Sequence, residues 1–138
     1  MKPISTQAGQ ATNVTIDIPA VVYDNPCVGE PVALHGNLHL VLTVVSDHAG
    51  GFHVGNHLNA SYAGTGLVSG VRYRASENQQ DVWNARDLPA SHTTTLRTKL
   101  ISQGGVDNAF LFTTVTTTVD ANGVPTATVD NQWVECRG

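Results

Sequence analysis

Charge is scarce in this chain. Charged residues make up 13% of its 138 positions, the formal net charge is −4, and Lys2 and Lys99 are the only lysines. Nucleic-acid binding needs clustered basic residues to neutralise phosphates, and no basic patch supplies them. Anionic membrane surfaces are disfavoured on the same ground, and so is a charged or polyanionic substrate. Long apolar runs are missing too: none approaches the ~20 residues needed to span a bilayer. No window keeps a 3.6-residue apolar period, which excludes amphipathic helices as the main element. The usual marks of catalysis are also lacking. Ser69, in Leu67-Val68-Ser69-Gly70, lacks the first glycine of a nucleophile elbow. No glycine-rich phosphate loop with a lysine occurs, and no cofactor is expected. The carboxylates are scattered, mostly in turns, and no two form an acid/base pair.

What the chain does have is alternation. Apolar residues reach 41%, too many for a disordered chain, and the abundant valine and threonine favour strands. The length suits one domain able to bury its own core. Pro31 to Ala75 organises the rest and holds five of the six histidines. Leu34, Leu38, Leu40, Leu42 and Val44 share one side of an extended strand, and His35, Asn37, His39, Val41 and Thr43 share the other. After the turn Ser46 to Gly51, Phe52, Val54, Leu58 and Tyr62 alternate with His53, Gly55, His57, Asn59 and Ser61. A tight turn would set His39 opposite His57, Asn37 opposite Asn59, and Leu38 opposite Leu58. Registers displaced by two residues either way keep the same faces together; a slip of one would mix them.

His53-x-x-x-His57 invites a metal reading. On a helix both rings could reach one ion; on a strand they stand roughly 13 Å apart. No glutamate follows the first histidine, so the zinc-protease motif is absent. A metal would need His39 and His57 as a cross-strand pair plus further ligands, and none is expected. Histidine and asparagine also suit a half-wet strand face without further purpose.

Around this centre the chain reads as a meander. Residues 1–12 are small, polar and unpatterned, a disordered N-terminal segment before a β-barrel domain over 13–138. Met1 to Ala11 has no apolar signal-peptide core, which leaves either an intracellular chain or one whose signal was removed. Asn13 to Val22 is a strand, with Pro19 marking an edge or a bend. Thr65 to Ser76 reads as the next strand, with a bulge or a close approach at Gly66 and Gly70, and Arg72 and Arg74 in solvent. Glu77 to Ala90 is the least patterned stretch, with a candidate strand over Gln80 to Asn84. Ser91 to Ser102, Ala109 to Val119 and Val124 to Cys136 are strands, and Asp120-Ala121-Asn122-Gly123 is the clearest hairpin signal. Seven to eight antiparallel strands joined by short turns avoid exposed edges most simply by closing into an up-and-down barrel. An open sandwich is the alternative. In a closed meander the last strand returns beside the first, so Cys27 and Cys136 could meet; otherwise they are two reduced thiols.

Several short stretches look familiar. Asn25-Pro26-Cys27-Val28-Gly29-Glu30, Gly51-Phe52-His53, Gly64-Thr65-Gly66 with Gly70 and Tyr73, Asp120 to Gly123 and the late Cys136 together resemble small exported proteins common in actinobacteria and their relatives. The resemblance runs from about residue 13 to the end. It implies export, to the medium or cell envelope, and a Cys27–Cys136 bridge, with a cytoplasmic location as the alternative. In architecture alone the chain is similar to lipocalin-like and allene-oxide-cyclase-like barrels, which carries no residue across.

Three function classes follow. A binding barrel would hold a mostly apolar small molecule in its lumen, shaped by Phe52, Tyr62, Tyr73, Trp83 and Trp133. A cofactor-free cyclase or isomerase would hold a flexible substrate in one shape and steer charge with His39, His53, His57, Asn59 or Tyr73. A structural or assembly protein would have a filled barrel. The chain is expected to act as a monomer or homodimer. Which strand face points inward decides among these readings, and burying the leucines is the default.

Overall fold

The computed structural model describes residues 11–46, 50–103 and 109–137. Eight strands run through them: β1 (Ala11–Asn25), β2 (Glu30–Ser46), β3 (Phe52–Gly66), β4 (Arg72–Ala85), β5 (Ala90–Lys99), β6 (Ile101–Ser102), β7 (Ala109–Val119) and β8 (Pro125–Cys136). Every pairing is antiparallel. The larger sheet has the order β1-β2-β3-β4-β6 and the smaller β5-β7-β8, and neither closes on itself among the described residues. The all-β expectation therefore holds, with no helix among those residues. The unpatterned N-terminal segment expected over 1–12 falls mostly outside them; Ala11 and Thr12 already pair with Thr43 and Leu42.

Alternation decides which face is buried. Leu38, Leu40 and Leu58 are wholly buried, and Leu34 and Leu42 nearly so. Leu96, Leu111 and Val115 from the smaller sheet, and Leu100 between β5 and β6, pack onto them as one cluster. At about 25 cal/mol per Å² of apolar area, no arrangement of the histidine face could compete with this burial. The histidine face consequently points outward.

The β2–β3 register differs from the tight-turn expectation by two residues. His39 lies opposite Asn59, His57 opposite Val41, and Leu40 opposite Leu58. The ladder ends at Ser46 and Phe52, and the turn expected over Ser46 to Gly51 falls partly outside the described residues. A shift of two preserves the faces, which is why alternation alone could not choose. Thr65 to Ser76 is not one strand either. β3 ends at Gly66, β4 starts at Arg72, and Leu67 to Gly70 forms the turn between them. Gln80 to Asn84 is the second half of β4 rather than a separate strand.

Glu30 explains the turn. Its carboxylate accepts the Val68 N–H at 3.1 Å, the Ser69 N–H at 2.6 Å and the Tyr73 hydroxyl at 3.3 Å. Asn25 donates to the same tyrosine oxygen at 3.2 Å. A Cβ on Gly66 would fall within 2.5 Å of the Glu30 carboxyl, so only glycine leaves room for it. Leu67 and Val68 are left 56% and 80% exposed at the tip. The Ser69 backbone N–H, then its hydroxyl, then Val68 and Tyr73, hold the Glu30 carboxyl below its ordinary 4.5, outweighing the opposing effect of burial. The fold thus favours the ionised form: its contribution is present above pH 4.5 and disappears as the pH falls through the lowered value. Glu30→Gln is expected to melt several degrees below the parent at neutral pH, with the gap narrowing steadily in acid. Melting curves taken from neutral pH to below 4.5 check this; a gap independent of pH would contradict it.

The two sheets meet at both borders. On one side the run Ala90 to Ser102 serves both, pairing with β7 through β5 and with β4 through β6. On the other, Cys27 and Cys136 form a disulfide with a Cα separation of 5.1 Å. Beside it, the Tyr23 hydroxyl donates to Gln132 at 2.9 Å, and the Gln132 amide donates to the Tyr62 hydroxyl at 3.1 Å and to Thr113 at 3.0 Å. That network joins β1, β3, β7 and β8. A lasting disulfide points to a non-reducing, extracytoplasmic setting. No helix among the described residues is long and apolar enough to cross a membrane.

Candidate functional site

The histidines expected to steer chemistry are spread over the outer face of the larger sheet. His39 bonds Asn13 at 3.1 Å, His57 bonds Gln80 at 3.3 Å, and His53 lies against the side-chain amide oxygen of Asn84. Asn59 sits between His39 and Asn78 across the strands. Each histidine is matched with an amide on a neighbouring strand, the cross-strand pairing that stabilises sheets. They do not converge on a point where a substrate atom could sit. Tyr73, the remaining candidate, faces the other way, onto Glu30.

The five aromatics expected to shape a lumen fall in separate places. Tyr62 and Tyr73 belong to the main core. Burial pushes the Tyr62 phenol above its ordinary 10.0, against the pull of its bonds with Thr113 and Gln132. Burial, then the nearby Tyr62, does the same to Tyr23. Both stay protonated near neutrality and neither can serve there as a base. Phe52 and Trp83 join Val44, Val54 and Val119 in a second cluster. Trp133 lies on the outer face of β8, stacked on Phe112 at 5.3 Å, its indole N–H donating to Glu135 at 2.6 Å.

A further polar layer runs from the interior to the surface: Asn56 on β3 and Trp83 on β4 are buried, while Asp81 on β4 and His92 on β5 are partly exposed. His92 lies 3.2 Å from the Asp81 carboxylate and stacks on Trp83 at 5.3 Å. Neither amide atom of Asn56 has a hydrogen-bond partner, nor has the Trp83 indole N–H. Buried amides left unpaired cost about 1–3 kcal/mol. Asn56→Leu, of similar shape and set between Leu42 and Asp81 in the ladder, is therefore expected to stabilise the fold by about 1–2 kcal/mol in urea denaturation. A destabilised variant would show that the amide is matched after all.

A larger opening than this layer lies elsewhere. A hollow of about 610 Å³ opens on the outer face near the β3–β4 turn, within the ~300–1,000 Å³ range of small-molecule sites. His35, Ala63, Arg74 and Ile101 form one rung of its floor, lined up across β2, β3, β4 and β6. Thr65 and Arg72 form the next rung, and Gln103 closes the edge, its N–H bonded to the Arg72 carbonyl at 3.0 Å. Ala63 and Gly64 keep the floor low because they carry little or no side chain. Among the described residues no carboxylate lines it. A shallower groove of about 200 Å³ lies over Gly55, between Thr43, His57 and Val82.

Sequence reasoning set Arg72 and Arg74 aside as solvated. Two arginines spaced i, i+2 beside the small residues Ala63 to Gly66 were the available signal. No protein-family model, curated protein or solved structure matches the chain. What the hollow does therefore rests on its own geometry.

Proposed function

We propose that this chain is an exported small-molecule-binding protein, its two sheets forming one disulfide-closed β-barrel, with the ligand in the outer hollow over β2, β3, β4 and β6. The observation that carries the reading is the hollow itself, of a size to enclose a small organic molecule and lined by both apolar and hydrogen-bonding groups. Two features support the barrel. The run Ala90 to Ser102 pairs into both sheets, and the disulfide with the Tyr23–Gln132–Tyr62 network ties β1 to β8. Export accords with the disulfide and with the resemblance to small exported actinobacterial proteins.

A ligand in the lumen is disfavoured by the side chains that already occupy the space between the sheets. A cyclase or isomerase is disfavoured by the outward, dispersed histidines. A purely structural role would need no open hollow.

The neutral dye N-phenyl-1-naphthylamine tests the reading. It is expected to bind the protein with a fluorescence rise that saturates. Ala63→Trp, which fills the hollow from the solvent side and leaves the core intact, should weaken binding by about tenfold, the equivalent of one well-placed apolar contact region. No binding to the parent, or equal binding to the variant, would overturn the site.

A further inference from the structure

The chemistry of the hollow narrows its ligand, on the reading that the hollow is the binding site. We infer that it takes an organic anion with an apolar body, its acidic group held by Arg72 and Arg74.

The two arginines lie two positions apart on β4, so both project from the outer face, about 7 Å from each other along the strand. Both are exposed, and among the described residues neither makes an ion pair. Arg97 and Arg137, by contrast, are engaged with the rings of Phe110 and Phe112. Two unengaged guanidiniums in a concave site with no lining carboxylate among the described residues concentrate positive potential there, against the chain's overall −4. Guanidinium is suited to planar or tetrahedral oxyanions because its N–H groups form a fixed fork.

The neighbours of Arg74 along its rung are not charged. Ile101, 57% exposed, lies on one side of it and Ala63 on the other. These are surfaces for a hydrocarbon or aromatic body. Gln103 at the edge and His35 on the adjoining strand add hydrogen-bonding groups. A bare phosphate or sulfate would leave Ile101 and Ala63 unused, and a neutral apolar molecule would leave the arginines unused. The low total charge had argued against a charged ligand; the local placement of two arginines outweighs that average.

The test compares two dyes that share a ring system. 1-Anilinonaphthalene-8-sulfonate is anionic, and N-phenyl-1-naphthylamine lacks the sulfonate. The parent is expected to bind the sulfonate about tenfold or more tighter, as one charge-assisted contact allows, with the preference shrinking as salt rises. Arg72→Gln with Arg74→Gln should remove the preference and leave the neutral dye within twofold, in a protein with an unchanged cooperative melt. Equal affinity for the two dyes, or a preference that survives the double variant, overturns the anion assignment while Ala63→Trp still blocks both. If Ala63→Trp blocks neither, the site itself is wrong. Vesicles of phosphatidylglycerol separate two sources of the same chemistry. Pelleting that the double variant abolishes identifies a lipid headgroup; no pelleting, alongside tight sulfonate binding, identifies a free amphiphile.

Discussion

Replacing Cys27 and Cys136 together by serine is expected to lower the stability of the fold by about 4–5 kcal/mol, the entropy that a cross-link of this span removes from the unfolded chain. The bridge joins residues 109 positions apart, so it constrains nearly the whole described chain. It also sits where no ladder joins β1 to β8 among the described residues. Elsewhere backbone hydrogen bonds hold neighbours together; at this border the work falls to the disulfide, the Tyr23–Gln132–Tyr62 network and apolar packing. Losing the bridge therefore releases the unfolded chain and loosens the border in the native one. Urea denaturation of parent and variant measures the difference. A midpoint lowered by less than a quarter of the parent value would mean that the border closes without the cross-link.

The second large effect concerns which face is inside. Leu58→Ala is expected to cost about 2–5 kcal/mol, as for other fully buried leucines. Leu58 has no exposed surface, lies opposite Leu40 in the ladder, and belongs to the cluster that joins both sheets. His39→Ala with His57→Ala, on the opposite face of the same two strands, should cost no more than about 1 kcal/mol, the worth of weak cross-strand pairs. Neighbouring residues thus differ severalfold in effect, and the contrast is more telling than either value alone. Comparable losses in the two proteins would mean that the histidines are packed inside.

These two experiments probe what was most and least legible in the sequence. The face was legible, because Leu34 to Val44 alternate cleanly and burial follows the oily side. The register was not, because pairing His39 with Asn59 or with His57 leaves every face unchanged. Only the point where the ladder ends, at Ser46 and Phe52, separates the two. The bridge was legible in part: a closed meander would let Cys27 and Cys136 meet, and the resemblance to small exported proteins implied that they pair, as they do. The Leu67 to Gly70 turn was hidden because its apolar residues imitate a strand. The group that bends the chain there, Glu30, lies 39 positions away from Ser69. β4 hid its continuity because both of its faces are polar around Gln79 and Asp81. The hollow was hidden for a related reason. It forms only when Arg72, Arg74, Ala63 and Ile101 meet across three strands, and no local pattern records that meeting.

The most direct measurement is a backbone amide chemical-shift map of the protein titrated with 1-anilinonaphthalene-8-sulfonate. The shifts expected are those of Ala63 to Thr65, Arg72 to Arg74 and Ile101 to Gln103, with the core amides of Leu38, Leu40, Leu58 and Leu111 unmoved. Shifts centred on those core amides would place the ligand between the sheets and contradict an outer site.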